Sequence, residues 1–388
     1  MIYDVIVVGA GASGLVAAMS AAKRGARVCI LEAKNSAGKS ILTSGNGRCN
    51  FSNANLDAGH YNDPEFVTTV FGPNPKETVT KFFESLGLWY ITDEEGRMFP
   101  RSRAATSVLN VVMNRVKALG IEILYNAKVQ YAEPPQDKQE SWKIHTEEGQ
   151  CFQAGKVIWC AGGGSSKYLS NLKLPVVHEQ KTLCPLAVTP KPPKYLNGVR
   201  AWCLVTVSDN HKKILFKETG EVLWRPYGIS GIVIFNASRL SHPGDTIELD
   251  FVEEKSEEEL KNDLDKRLLT FDDRSDIQKD FLEGVLHPAL SDFIMHLPGV
   301  IKDKHIDTAC LAHALKHLNY KIESPADTEH AQITKGGLDT KSFDANTMSS
   351  YEYPTFYACG EVLNIDAPCG GYNLSWAWLS ALKAADSI

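Results

Sequence analysis

Residues 3–32 read YDVIVVGAGASGLVAAMSAAKRGARVCILE, and this stretch decides the fold. Residues 3–8 form an almost continuous apolar run, which is typical of a strand buried on both faces of a parallel sheet. A glycine-rich turn at 9–14 comes next, and the alanine-rich segment 15–23 has the composition of a helix. Residues 27–31 then form a second apolar run. The stretch therefore predicts a complete β-α-β unit.

The turn Gly9-Ala10-Gly11-Ala12-Ser13-Gly14 has the spacing of a dinucleotide-binding fingerprint. Gly9 permits the tight turn, Gly11 lets the backbone approach a pyrophosphate, and Gly14 lets helix and strand pack closely. The N–H groups at the start of the helix then face the phosphate charges. Glu32, after the second strand, can accept hydrogen bonds from a ribose diol and would repel a 2′-phosphate. These residues predict FAD or NAD, and not NADP, and alone they do not separate the first two.

The C-terminal stretch 355–385, TFYACGEVLNIDAPCGGYNLSWAWLSALKAA, favours FAD. A buried strand leads to Gly360-Glu361, whose carboxylate can hold a ribitol hydroxyl. Gly370-Gly371 precedes a helix predicted for about 373–384, and a helix N-terminus can stabilise the negative charge on the N1/C2 edge of a reduced flavin. The alternative is that this glycine pair only starts a helix. For Trp376 and Trp378, packing in the core is the favoured interpretation.

Composition excludes several classes of protein. The chain has 388 residues, 43% of them apolar and 23% charged, which is typical of two or three globular domains. Its net charge of −6 gives no general attraction to nucleic acid or an anionic membrane. We therefore expect a small-molecule substrate, no nucleic-acid partner and no membrane, and the oligomeric state stays open.

Cysteine and histidine spacing predicts no metal site. The nine cysteines contain no C-x-x-C pair, and none of the eleven histidines has H-E-x-x-H spacing. The first residues show neither a signal peptide nor an apolar run of the ~20 residues that a membrane span needs. We expect a cytoplasmic protein with free thiols.

The middle of the chain has a different hydrophobic pattern. Residues 185–252 contain short alternating segments separated by Gly, Asn and Pro, which predict a small antiparallel sheet or barrel. Among them, 213–216, 222–224 and 232–235 are predicted as separate strands. The following region is charge-rich and helical, with a capping box at Ser256-x-x-Glu259.

We therefore predict an α/β protein with a discontinuous Rossmann-type FAD-binding domain, an inserted β-barrel-like subdomain and a helical subdomain. The FAD-binding domain comprises 1–185 and 335–388. The barrel comprises 186–253 and 320–334, and the helical subdomain comprises 254–319.

Four motifs, GNGRCNFSN (45–53), GRMFP (96–100), TKGG (334–337) and CGGYN (369–373), resemble the BaiN-like / aminoacetone oxidase family of three-domain bacterial flavoproteins. This family lies within the wider two-dinucleotide-binding-domain group, and the resemblance spans nearly the whole chain. It implies FAD, a Rossmann domain in two segments, and an insertion of barrel and helices. Asn46 stands where the family usually has the middle glycine of Gly-Gly-Gly.

The resemblance also implies that residues 47–50 run close to the FAD. By similarity to the wider group, Val129 should bind the adenine through its backbone, and the turn 161–163 should pass close to the cofactor. The residues that we predict to bind the cofactor, from the motifs and the resemblance together, are Gly9, Gly11, Ala12, Ser13, Gly14, Glu32, Lys39, Gly47, Arg48, Cys49, Asn50, Val129, Ala161, Gly162, Gly360, Glu361, Gly370, Gly371, Tyr372 and Asn373.

Catalytic residues stay unassigned, with Arg48 and Tyr372 as candidates. Arg48 can steady an anionic reduced flavin or a substrate carboxylate, and its alternative role is a structural ion pair. Tyr372 can stack or donate a proton. Cys49 and Cys369 can act as redox thiols, although a small buried hydrophobic role is favoured for both.

The resemblance implies a FAD-dependent oxidoreductase that transfers a hydride through the flavin to or from a small organic substrate. Two reactions fit: reduction of an enone by NAD(P)H as a transient co-substrate, and oxidation of a small amine by O₂. One alternative is a tRNA-modifying flavoenzyme, which the acidic charge and the lack of a basic stripe disfavour. Another is a non-catalytic, flavin-binding regulatory protein. The family's long stretch after the 161–163 turn is missing here, so no substrate or nicotinamide specificity is carried over.

Overall fold

The computed structural model describes residues 2–137, 140–271, 277–303 and 305–388. The chain forms two compact units. The first comprises Met1–Gln180 and Ile333–Ile388, and the second comprises Lys181–Gln332. The three-domain boundaries inferred from the sequence stay a prediction.

The secondary structure is given in chain order. The strands are β1 (Ile2–Val8), β2 (Val28–Glu32), β3 (Ser52–Asn53), β4 (Tyr90–Thr92), β5 (Arg97–Pro100), β6 (Glu122–Tyr125), β7 (Val129–Glu133), β8 (Trp142–Thr146), β9 (Cys151–Trp159), β10 (Val176–Thr182), β11 (Leu186–Thr189), β12 (Arg200–Ser208), β13 (Ile214–Arg225), β14 (Gly228–Ser230), β15 (Thr246–Asp250), β16 (Ile301–Lys302), β17 (His305–Ile306), β18 (Leu318–Pro325), β19 (Ile333–Leu338) and β20 (Phe356–Ala358). The helices are α1 (Ala12–Lys23), α2 (Lys39–Thr43), α3 (Pro64–Phe71), α4 (Pro75–Ser85), α5 (Ala105–Ala118), α6 (Ile232–Leu240), α7 (Glu257–Leu268), α8 (Ile277–Asp280), α9 (Pro288–Met295), α10 (Thr308–Lys316) and α11 (Tyr372–Asp386).

The first unit is built on a sheet with strand order β6-β2-β1-β9-β8-β7. β1 runs parallel to β2 and β9, and β2 runs parallel to β6. The long strand β9 pairs with two strands along the same edge. Its first half is antiparallel to β8, and its last residues are parallel to β20. The parallel strands end at one edge of the sheet, where the loops after β1, β2, β9 and β20 meet, as in other doubly wound sheets.

The second unit contains a closed antiparallel barrel with strand order β11-β14-β13-β12-β15-β18. Val205, Val207, Trp224 and Leu249 are fully buried in its core. Helices α7–α10 and the β16–β17 pair lie in the same unit. The predicted α/β fold class, with a Rossmann-type sheet and a β-barrel, is confirmed.

Two predictions in the barrel region are wrong. The strands predicted at 213–216 and 222–224 are one strand, β13, because Gly220 continues the ladder opposite Cys203 instead of ending it. A Cβ at Gly220 would lie 2.8 Å from Val233 Cβ, so the glycine makes room for a neighbouring element. That element is α6, where the sequence predicted a strand at 232–235. A short apolar run does not distinguish a strand from a buried helix by its periodicity.

Among the described residues, no helix combines the length and apolarity that a membrane span requires.

Candidate cofactor site

The Rossmann turn is compact because two of its glycines have no room for a side chain. Gly9 adopts φ +101°, and a Cβ there would lie 2.6 Å from the Cys160 carbonyl oxygen. A Cβ at Gly14 would lie 1.9 Å from the Gly9 carbonyl oxygen. Gly11 is different, since its nearest neighbour is Ser40 Oγ at 3.6 Å. The turn is thus packed on one side and leaves space at the glycine whose backbone would approach a pyrophosphate.

Glu32 stabilises this turn through hydrogen bonds within the protein, whether or not it also contacts a ligand. Its carboxylate is buried, and Oε2 accepts a hydrogen bond from Ala10 N–H at 2.6 Å. Oε1 accepts one from Lys34 N–H at 2.8 Å. Each carboxylate oxygen has further acceptor capacity, so a ribose diol can still bind. The bracing role was not predicted from the sequence.

The turn at Gly360-Glu361 lies directly against the start of helix α1. Gly360 adopts φ +72°, and a Cβ there would lie 2.8 Å from Ser13 Oγ. Helix α11 holds the same glycine: Gly360 N–H donates to Ser380 Oγ at 3.0 Å, and Trp376 Nε1–H donates to the Gly360 carbonyl at 3.0 Å. Trp378 Nε1–H donates to the Phe51 carbonyl at 2.9 Å. Both tryptophans pack in the core, as favoured above.

The loop 45–53 packs on the start of α11. A Cβ at Gly371 would lie 2.4 Å from the Ser52 carbonyl oxygen and 2.8 Å from Asn50 Oδ1. Asn53 Nδ2–H donates to the Gly370 carbonyl at 2.9 Å. The motifs GNGRCNFSN and CGGYN therefore form one surface, although they lie near opposite ends of the chain.

Asn50 supplies the sharpest test of whether a flavin fits here. Its Oδ1 atom is buried, and it has no hydrogen-bond partner among the described residues. A buried acceptor without a donor costs about 1–3 kcal/mol. An isoalloxazine ring carries N–H donors, so a flavin beside the start of α11 fits this unpaired oxygen.

Four of the five residues in the loop 45–49 adopt a left-handed backbone. Gly45, Asn46 and Gly47 have φ values of 56°, 55° and 77°, and Cys49 has φ 55°. Asparagine is one of the few residues besides glycine that tolerates this region, which explains Asn46 at the family's usual glycine position. Burial raises the pKa of the Cys49 thiol to about 11, so at neutral pH it lacks the thiolate that a redox centre needs.

Arg48 is exposed and lies over the Phe99 ring, with 5.3 Å between its Cζ atom and the ring centroid. Its Nε–H donates to the Gly45 carbonyl at 3.3 Å. Within the described part of the chain no carboxylate lies within 4.0 Å of the guanidinium, so Arg48 forms no ion pair there and its charge is available to a ligand.

Tyr372, the first residue of α11, packs against His60 with 4.2 Å between ring centroids and 33° between the ring planes. The Tyr61 ring meets the Tyr372 ring edge-on, with 6.4 Å between centroids, and its hydroxyl donates to the Tyr372 carbonyl at 2.7 Å. Burial raises the pKa of Tyr372 above its ordinary value, so its hydroxyl stays protonated at neutral pH. His60 was missed by sequence reasoning, because a lone histidine in a loop carries no motif.

Glu361 and Asn373 both make contacts within the protein. Glu361 Oε1 accepts a hydrogen bond from Thr334 N–H at 2.8 Å, and a Cβ at Gly163 would lie 2.4 Å from that oxygen. The Asn373 amide donates to the Ala367 carbonyl at 2.8 Å and accepts from Ala367 N–H at 3.0 Å. Asn373 thus closes the loop that leads into α11.

The remaining predicted residues border the same edge of the sheet. Ala161 Cα would lie 3.0 Å from a Cβ at Gly9, and Gly162 follows with φ +78°. Lys39 begins α2, directly after a glycine whose N–H donates to the Ala10 carbonyl. Val129 begins β7 close to the end of β2, where Ala127 N–H donates to the Glu32 carbonyl at 2.9 Å. The assignment of each of these residues to a cofactor stays a prediction.

Comparisons with known proteins agree with this architecture. A family model described as "HI0933-like protein Rossmann domain" matches residues 3–387. A 3-dehydro-bile acid delta(4,6)-reductase of Clostridium scindens is 31% identical, over 97% of this chain and 97% of its own length. A ribosomal RNA dihydrouridine synthase of Haemophilus influenzae is 26% identical, over 99% of this chain and 98% of its own length. The solved open conformation of a flavocytochrome c3 fumarate reductase shares the fold, with a TM-score of 0.51 and 14% identity over 100% of this chain and 78% of the other.

Proposed function

The chain belongs to the HI0933-like family of FAD-dependent oxidoreductases, and on this premise we propose that it binds FAD and reduces a carbon–carbon double bond conjugated to a carbonyl group. The close approach of Gly360 to Ser13 carries the proposal, because it brings the turn that would hold a pyrophosphate against the turn that would hold a flavin. A nicotinamide enzyme would have no use for the second turn.

The two relatives support this reaction because their names describe the same chemistry. A 3-dehydro-bile acid with delta(4,6) unsaturation has double bonds conjugated to its 3-carbonyl, and dihydrouridine forms when the 5,6 double bond of uracil is reduced. In both cases reduction adds a hydride and a proton to a carbon–carbon double bond that is conjugated to a carbonyl group, directly or through a second double bond. The net charge of −6 favours a small molecule over RNA as the substrate of this chain.

FAD, when bound, would supply the chemistry of hydride transfer between NAD(P)H and the substrate. The chain's own groups then have three tasks. The N–H groups at the start of α11 would hold the flavin and stabilise negative charge on it. The Arg48 guanidinium, which has no carboxylate partner among the described residues, holds the substrate carbonyl oxygen as negative charge develops there. The protonated Tyr372 hydroxyl supplies the proton to the α carbon.

Anaerobic stopped-flow spectroscopy tests the proposal. The purified protein should show a flavin spectrum and release FAD on denaturation, and NADH or NADPH should bleach it. Mixing the reduced protein with a steroid 4,6-dien-3-one should restore the oxidised spectrum and give a product with one double bond fewer. A saturated 3-ketosteroid is the matched control and should leave the flavin reduced.

Other outcomes of the same experiment separate the alternatives. Reoxidation by unmodified ribosomal RNA but not by the dienone would retain the reaction and assign it to RNA. Bleaching by a small amine without reoxidation by any enone would overturn the reduction. A flavin that no donor bleaches would identify a binding protein without turnover.

A further inference from the structure

The second unit contains a cluster of one glutamate and two histidines outside the cofactor site. Glu257 is the first residue of α7, His313 lies in α10, and His317 follows the last residue of that helix. Both imidazoles lie beside the Glu257 carboxylate at the start of α7. From these residues we propose that the protein binds one divalent transition-metal ion, of which Zn²⁺ fits the ligands best.

The distances match those around such an ion. His313 Nδ1 lies 3.3 Å from Glu257 Oε1, and His317 Nε2 lies 3.2 Å from Glu257 Oε2. One ligand atom from each of the three residues lies within 4.8 Å of the others. Bonds of about 2.0–2.1 Å to a tetrahedral ion separate its ligand atoms by roughly 3.3–3.4 Å. Small rotations of these partly exposed side chains therefore suffice to coordinate the ion.

Glu248 supports His317 from the other side of its ring. The Glu248 carboxylate lies 2.9 Å from His317 Nδ1, and a proton on Nδ1 leaves the Nε2 lone pair directed at Glu257. Carboxylates orient metal-binding histidines in this way in many proteins. A lone pair that faces a carboxylate at 3.2 Å is repelled unless a cation lies between them. A metal ion between the two groups satisfies that requirement.

The surroundings suit an ion that keeps an open coordination position. Glu257, Glu258 and Glu259 occupy the first turn of α7 and concentrate negative charge there. A cavity of about 490 Å³ adjoins the two histidines, and its other lining residues include Leu297, Val300 and Leu318. Three protein ligands leave one tetrahedral position for water or a small anion. The ion would also cross-link the start of α7 to the end of α10.

Titration calorimetry of the full-length, tag-free FAD protein after chelator treatment tests the site. We expect one Zn²⁺ per chain with a dissociation constant below about 10 μM. His313→Gln and His317→Gln should each weaken binding on the order of 100-fold, and Glu248→Gln about tenfold. His296→Gln is the matched control, because His296 is an exposed histidine that pairs at 3.4 Å with Asp292 of α9 instead of with the cluster. It should bind Zn²⁺ as the unchanged protein does.

Co²⁺ provides a second measurement on the unchanged protein, because its visible absorption reports nitrogen ligands and tetrahedral geometry. Absence of Zn²⁺ binding and of a Co²⁺ spectrum overturns the proposal. Equal Zn²⁺ affinity in the unchanged protein and in the His313→Gln/His317→Gln double variant overturns it as well. If a histidine variant fails to fold by circular dichroism, Glu257→Gln replaces it, since this change alters one exposed group and keeps its shape.

Discussion

Asn50 holds a buried acceptor that finds no donor in the described part of the chain. Asn50→Ala removes this unpaired oxygen, so the stability of the apoprotein should stay within about 0.5 kcal/mol or rise. The affinity for FAD should fall about tenfold or more, because the variant loses a hydrogen bond that the ligand satisfies. Thermal unfolding of the apoprotein and fluorescence titration with FAD measure the two effects separately.

Asn373→Ala is the contrasting variant, because the Asn373 amide already bonds the Ala367 backbone. It should destabilise the apoprotein by about 1–3 kcal/mol. Loss of apoprotein stability in Asn50→Ala without any loss of FAD affinity would show that the Asn50 side chain serves the fold alone.

Arg48 offers a prediction about catalysis. Arg48→Ala should lower kcat/KM for an enone by about 10- to 100-fold, since the developing charge on the carbonyl oxygen loses its cation. Arg103→Ala is a matched control: its guanidinium lies over the same Phe99 ring, at 5.8 Å from the centroid. Steady-state kinetics on both variants decide the point. Equal losses would assign the effect to the ring and remove Arg48 from the reaction.

The roles of some of these residues could be predicted from sequence motifs, and the roles of others could not. The crowding at Gly9 and Gly14 follows from the fingerprint itself, because its spacing is a steric requirement. His60 and the bracing role of Glu32 arise from contacts between distant parts of the chain. A single sequence carries no signal for such contacts.

Helix α10 provides a prediction at the level of an element. Asp307 caps its start by accepting a hydrogen bond from Cys310 N–H at 3.0 Å. That bond and Lys302 nearby lower the Asp307 pKa to about 2 from its ordinary 3.8. Because the pKa is lower in the folded state, the cap stabilises fully above pH 3.8 and its contribution is lost as the pH falls toward 2.

Asp307→Ala should therefore lower the melting temperature by a few degrees at neutral pH, and the difference should shrink between pH 4 and pH 2. Asp307→Asn keeps an N-cap acceptor and removes the titration. Calorimetric scans across this range compare the three proteins. A difference between Asp307→Ala and the unchanged protein that is constant with pH would contradict the assigned cause.

Helices and strands were predictable where the hydrophobic pattern and the turn residues indicated the same structure. β1, α1 and β2 combine buried runs with a fingerprint, so their order and type followed from the sequence. β13 and α6 did not, because Gly220 resembles a turn signal and a short apolar run at 232–235 fits either structure. In both cases, packing between β13 and α6 overrides the local preference.

For the whole molecule, the discontinuous first unit was predictable because cofactor-type turns occur near both ends of the chain. The first unit indeed combines Met1–Gln180 with Ile333–Ile388. The exact boundaries of the barrel and the helical subdomain stay predictions, since a strand can begin or end several residues from any compositional change.

The two units should respond to different ligands. The turns that would hold FAD belong to the first unit, and Glu257, His313 and His317 belong to the second. A ligand present at a hundredfold excess over its dissociation constant stabilises the state that binds it by about 2.7 kcal/mol. Hydrogen exchange measured by mass spectrometry should therefore show FAD slowing exchange at 9–14, 45–53 and 360–373. Zn²⁺ should slow exchange in α7 and α10 and leave those turns unchanged. Protection by FAD that spreads equally over the barrel strands, or that spares 45–53, would contradict a cofactor site built from the converging glycine turns.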